Sequence, residues 1–187
     1  MIALVFDTET TALVENRSVK QERLPHVIEF YGAVTDLDTG EIITELDQLI
    51  RPPIPLSDKP NPGDKKTTTE ITGITNEMLA DKPMFREVAS SIKAFLESAP
   101  NIIAHNATFD QEVIDIEFSR VNQFIKWPRL HCSVEQTIHL KGKRLTLTDL
   151  HNLLFNEKFA DAHRAKNDVQ ALIRCCIELR RREEAFI

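Results

Sequence analysis

Apolar residues open the chain as one unbroken run, Ile2-Ala3-Leu4-Val5-Phe6, which stops abruptly at Asp7-Thr8-Glu9-Thr10. A short apolar run without polar alternation predicts a strand covered on both faces, here one that ends in carboxylates. Two further strands are predicted over 27–35 and 41–50, joined as an antiparallel hairpin through the turn-forming Asp36-Leu37-Asp38-Thr39-Gly40. Prolines at 52, 53, 55, 60 and 62 make 51–66 an extended surface loop. Beyond it the period changes. Thr75 caps a short helix reaching Leu79, and Phe85, Val88, Ala89, Ile92, Phe95, Leu96 and Ala99 recur at helical spacing after Pro83. Pro100-Asn101 ends that helix, Ile102-Ile103-Ala104 forms another buried strand, and a helix from Thr108 carries Phe109, Val113, Ile116 and Glu117. The last helix covers 165–181, with Val169, Leu172, Ile173, Cys176 and Ile177 as its apolar stripe. A hairpin followed by alternating helices and strands predicts the α/β class, a mixed central sheet with helices on both faces and ligands at strand ends.

Composition narrows this picture. A chain of 187 residues, 42% hydrophobic and 28% charged, fits one domain over 1–187. No apolar stretch is long enough for a membrane span, and no basic-flanked leader opens the chain. Cys132, Cys175 and Cys176 form no metal-binding pair, and the adjacent two are badly placed to cross-link, so a cytoplasmic, reducing setting is expected. A net charge of −6 excludes binding nucleic acid by bulk electrostatics, so any such site must be local.

The candidate chemistry lies in the acids. Residues two apart on a strand share a face, so Asp7 and Glu9 stand side by side, an arrangement that repels itself unless a cation intervenes. Asp110 falls in the first turn of the helix after 102–104, where simple capping also explains a carboxylate. Asp168 precedes the apolar stripe of the last helix and means little alone. Hard divalent ions prefer carboxylate oxygens, and two of them held ~3.5–4 Å apart stabilise both the attacking and the leaving oxygen of a phosphodiester. Four converging acids would serve that purpose. His163, five residues before Asp168, belongs in the loop entering the helix, where an imidazole can accept a proton from water near neutral pH.

DTET at 7–10, HNATFD at 105–110 and HRAKND at 163–168 resemble, in order and spacing, the three motifs of the DEDDh exonucleases. Within that family the likeness is greatest to the proofreading exonuclease subunits of bacterial DNA polymerase III, supported by EITGITNEML at 70–79 and VIEFYGAV at 27–34. The resemblance implies a ribonuclease H-like exonuclease fold with Asp7, Glu9, Asp110 and Asp168 as ligands of two Mg²⁺ (or Mn²⁺) and His163 as general base. It also implies that Thr8 and Thr10 lie beside the terminal nucleotide, with His105, Asn106 and Phe109 shaping the second motif. The expected activity is 3′–5′ hydrolysis of single-stranded or frayed DNA ends to nucleoside 5′-monophosphates, with a DNA polymerase as an expected partner. Three departures bear on this: Ala12 stands where the family usually has glycine, 14–26 is longer than the usual connection, and no polymerase-binding tail follows Arg180-Arg181-Arg182-Glu183-Glu184. The last makes stand-alone trimming or degradation an expectation beside proofreading.

Two other functions compete. An exoribonuclease would use the same scaffold, with the 2′-hydroxyl deciding the sugar preference. A silent nucleic-acid-binding subunit would keep the fold without turnover, against which stand the intact Asp7, Glu9, Asp110, His163 and Asp168. His131, Cys132, His139 and His151 match no common zinc spacing. Lys141, Lys143 and Arg144 either touch phosphates or form a solvated loop, and Arg164 and Lys166 either offset the acids or pair on the surface. Phe124 and Trp127 are expected to close the core rather than stack on a base.

Overall fold

The opening run forms β1 (Ile2–Thr10), and its lack of alternation has a direct cause. Leu4 and Phe6 pack on one face with Phe30, Ile92, Val113 and Phe118, while Ala3 and Val5 pack on the other with Val169, Leu172 and Cys176. In this computed structural model, which describes residues 1–14, 24–157, 159 and 163–184, β1 lies at the centre of a five-stranded sheet. Its companions are β2 (Val27–Asp36), β3 (Glu41–Leu49), β4 (Asn101–Ala104) and β5 (Arg129–Cys132), in the order β3-β2-β1-β4-β5. The hairpin is as expected: β1, β2 and β3 are antiparallel, and Gly40, at φ 79, closes the turn by donating to the Asp36 carbonyl at 2.7 Å. β4 and β5 run parallel to β1, which makes the sheet mixed.

Helices cover both faces. α3 (Phe85–Leu96) and α4 (Ala107–Arg120) bury their apolar sides with Leu4 and Phe6, and α7 (Ala165–Arg181) lies against Ala3 and Val5. α6 (Leu147–Phe155) packs on the outer side of α7 through Leu150 and Leu154 against Cys175 and Leu179. The Thr75 cap is present, its hydroxyl accepting from the Met78 N–H at the head of α2 (Asn76–Leu79). Sequence reading did not anticipate α1 (Thr68–Thr72), α5 (Ser133–Lys141), α6 or β5. α1 carried a usable signal, since Thr67 and Glu70 form a complete capping box.

Some expectations change. The buried positions of α4 are Ala107, Asp110, Val113, Ile114, Glu117 and Phe118, whereas Ile116 is half-buried. Trp127 does close the core beside Phe6, its indole N–H donating to Asp115. Phe124 does not: it is 76% exposed, with the Lys93 ammonium over its ring. Of the 14–26 segment, 15–23 lie outside the described residues; its end is tied down by Arg120, which donates to the Leu24 and Pro25 carbonyls, and by buried Glu117, which accepts from the Val27 N–H. Among the described residues no helix is long and apolar enough to cross a membrane.

Sheet register positions the acids. Parallel pairing of β1 with β4 joins Leu4 to Ile102 and Val5 to Ile103, so Asp7 to Thr10 run past that pairing. They project at the edge where the chain leaves β4 and enters α4.

Gly32, opposite Phe6 in β2, shows how closely α3 rides on this sheet, because a methyl group there would lie 2.8 Å from the Phe95 ring. Gly32→Ala is therefore expected to cost about 1–3 kcal/mol in urea denaturation. Adding Phe95→Leu should recover part of that loss; no recovery would place the cost elsewhere than in the α3 contact.

Candidate active site

Three carboxylates converge at the end of β1. Asp7, Glu9 and Asp168 each offer one oxygen, and these oxygens lie within 4.8 Å of one another. Asp7 and Glu9 share a strand face, as their spacing requires, while Asp168 comes from the first turn of α7, which packs across β1 and β2. Asp110 is outside that triple but adjacent to it: 2% exposed, in the first turn of α4, it adds to the repulsion felt by Asp7. Its Oδ1 accepts from both the Thr8 N–H at 3.1 Å and the Thr8 hydroxyl at 2.8 Å. Asp110 thus bridges α4 to β1, a larger role than capping.

Burial raises all four, and repulsion from neighbouring carboxylates, Glu29 among them, adds to it. Burial, then Asp110 and Glu9, holds the Asp7 carboxyl well above the usual range. Burial, with Asp168 next, lifts Glu9 to about 8. Burial brings Asp110 to about 7 against the pull of the Thr8 hydrogen bonds, and Asp168 to about 6 against that of the His163 backbone N–H. The nearby cation Arg164 is already committed: its guanidinium donates from Nε and Nη2 to Glu29, 1% exposed on β2, at 2.7–3.2 Å. Glu29 also accepts from the Ala165 N–H at 2.9 Å, locking the start of α7 to β2. Lys166 pairs with Glu45 and Asp47 on β3, so both cations of the third motif are salt-bridged.

His163 lies in the turn before α7, at φ 72, with its backbone N–H on Asp168 Oδ2 at 3.1 Å. Its exposed side chain lines a cavity of about 420 Å³ shared with Asp7, Asp168, His105, Asn106, Arg144 and Phe159. His105 stands at the wall with both ring nitrogens engaged, Nε2 donating to the Leu145 carbonyl and Nδ1 meeting the Ser133 hydroxyl, and burial lowers its pKa to about 4. Asn106, exposed at φ 67, begins α4 and accepts from Arg144 at 2.9 Å. Phe109 packs against the core, and the Thr10 hydroxyl donates to the Ala12 carbonyl. Thr8 is only 5% exposed, its hydroxyl spent on Asp110. Of the nominated residues, Asp7, Asp168, His163, His105 and Asn106 share the cavity, Glu9 and Asp110 adjoin it, and Thr8, Thr10 and Phe109 support it. Sequence reasoning missed Glu29 and left Arg144 between a phosphate contact and a solvated loop. A lone carboxylate inside the apolar run of β2 was the available signal for Glu29.

Residues 4–176 match the family model described as Exonuclease (RNase_T), and the chain belongs to that family. Its sheet and helices have the ribonuclease H-like fold of the DEDDh exonucleases. Exonuclease X in complex with 5′ overhanging duplex DNA superposes with TM-score 0.66 at 20% identity, over 96% of this chain and 92% of that one. The nuclease domain of 3′hExo, a DEDDh family member bound to rAMP, gives 0.71 at 16%, over 97% and 92%. Among curated proteins the chain is similar to DNA polymerase III subunit epsilon: 33% identical to that of Treponema pallidum (strain Nichols), over 93% of this chain and 72% of the relative. The Haemophilus influenzae protein is 32% identical over 79% of this chain, which spans 54% of it, and the Pasteurella multocida protein is matched over only 38% of its length.

Without a divalent ion, these carboxyls keep protons that the unfolded chain has released. From about pH 4 to about 8 the folded state then binds more protons, so this contribution to stability falls as pH rises. Asp7→Asn, scanned thermally in EDTA, should exceed the wild type in Tm at about pH 8.5, by roughly 2–4 °C per kcal/mol of repulsion relieved. The gap should close toward pH 5. A gap independent of pH would mean that the four acids do not crowd one another.

Proposed function

We propose that this chain removes nucleotides one at a time from the 3′ end of single-stranded or frayed DNA, releasing nucleoside 5′-monophosphates, with two Mg²⁺ or Mn²⁺ as cofactors. The observation that carries this reading is the convergence of Asp7, Glu9 and Asp168, with Asp110 adjacent, at a cavity lined by Asp7, Asp168 and His163. The donor set fits hard divalent ions: it is all carboxylate oxygen, and the nearby Arg164 is occupied by Glu29. Asp7, Glu9, Asp110 and Asp168 would hold the ions, whose charge offsets that on the attacking and leaving oxygens of the phosphodiester.

The chain's own residues do the rest. The cavity, at about 420 Å³, takes the terminal nucleotide, and its walls place the scissile phosphate at the carboxylates. His163 accepts the proton of the water that attacks phosphorus as the 3′-oxygen of the preceding nucleotide departs. The hydrogen bond from its backbone N–H to Asp168 keeps it in reach. What supports preference for DNA, and a DNA polymerase as partner, is the likeness to the epsilon subunits, which this chain spans only in part.

Digestion of 5′-labelled single strands of DNA and RNA of one sequence tests this reading. A ladder shortening from the 3′ end, faster on DNA, abolished by EDTA and restored by Mg²⁺ or Mn²⁺, is expected. Asp7→Ala should lose turnover while remaining folded, and activity surviving chelation would overturn the two-metal reading. His163→Ala should lower kcat by about 10²–10⁴ with KM little changed. Equal losses in affinity and turnover would make His163 a substrate contact instead of the base.

A further inference from the structure

We infer that Arg144 is a substrate-binding residue: released from Glu135, its guanidinium takes a backbone phosphate of the strand lying in the cavity. This rests on the nuclease reading and deepens it, because the site as described so far is acidic while its substrate is a polyanion.

Arg144 belongs to the loop between α5 and α6, and its backbone is fixed at the cavity rim from both sides. Gly142, at φ 67, ends α5, and its N–H donates to the Ile138 carbonyl at 2.7 Å. Leu145 is 7% exposed and its carbonyl accepts from His105, the first residue of the second motif. The Thr146 hydroxyl then caps α6 by accepting from the Asp149 N–H. His105 therefore holds this loop beside the carboxylates.

The Arg144 side chain itself is 55% exposed and lines the same cavity as Asp7, Asp168 and His163. Among the described lining residues it is the one guanidinium or ammonium. One of its nitrogens donates to Asn106 Oδ1 at 2.9 Å and another contacts the Glu135 carboxylate.

Burial separates this arginine from Arg164. The Arg164 partner, Glu29, is 1% exposed and would be stranded without its cation, so that pair cannot open. Glu135 is 54% exposed, so water can replace Arg144 and the pair is weak. A phosphodiester offers the guanidinium two oxygens in the same fork geometry as a carboxylate. Glu135 is thus a resting partner that competes with the strand.

Fluorescence anisotropy with short 5′-fluorescein DNA and RNA strands, in Ca²⁺ to suppress turnover and over a range of salt, tests the assignment. Arg144→Ala should weaken binding about five- to tenfold. It should also reduce the slope of log affinity against log salt by about 0.7, the share of one single-strand phosphate. Both losses should be the same for thymine and adenine strands and for DNA and RNA. Arg144→Lys should restore the slope but not all of the affinity, and Glu135→Gln should tighten binding about two- to threefold. Both positions are more than half exposed, so the variants keep the fold. An unchanged slope in Arg144→Ala, a loss that depends on the base, or weaker binding in Glu135→Gln would each overturn the inference. Wild-type protein that neither binds nor digests any strand would instead remove the nuclease reading, and this inference with it.

Discussion

Two unit charges 4 Å apart in a protein-like medium interact by about 4 kcal/mol, and this fold gathers four carboxylates at the end of one strand. Their repulsion would splay any loosely held arrangement. Each acid is instead fixed by its own device. Asp7 and Glu9 belong to β1, the central strand, packed on both faces. Asp110 is held by two hydrogen bonds from Thr8, so the strand bearing the first pair of acids also grips the third. Asp168 sits on α7, whose start is locked to β2 by Glu29 through Arg164 and the Ala165 N–H. Repulsion overcome by scaffolding leaves a local field that a divalent cation can relieve.

The two arginines beside the site show how burial decides what a charge can do. Arg164 and Glu29 form a fork between strand and helix in which the carboxylate has no access to water, so neither member is available to a ligand. Arg144 makes a similar contact with Glu135 at the surface, where solvent substitutes for either partner. Residue type does not separate them, since each is an arginine paired with a glutamate, Arg164 with Glu29, 135 residues away, and Arg144 with Glu135, nine residues away. Only the packing of β2 against α7 does.

What was legible in the sequence follows the same division. β1, the hairpin, α3, α4, α7 and the Thr75 cap were readable because period, turn residues and capping are local properties. The three motifs gave the acids and His163 in order. β5 was not readable, because Arg129–Cys132 is a short edge strand of mixed polarity with no period to detect. Phe124 was misassigned because an aromatic residue three positions from a partly buried tryptophan can point either way. The roles of Thr8 and His105 were also beyond local reading: their partners, Asp110 and Leu145, lie 102 and 40 residues away.

The net charge of −6 then takes on a physical meaning. A polyanionic strand is repelled by the chain as a whole and by the four acids in particular, and the site offers no compensating surplus of lysine or arginine. On the proposed reading, two divalent ions would neutralise the four carboxylates, and Arg144 supplies positive charge in the same cavity. Attraction is thereby confined to the place where hydrolysis occurs. A strand passing elsewhere over the surface gains little, whereas one whose end enters the cavity meets both the ions and the guanidinium. Selectivity for an end over the interior of a strand then follows from where the charge is, without any base-specific contact.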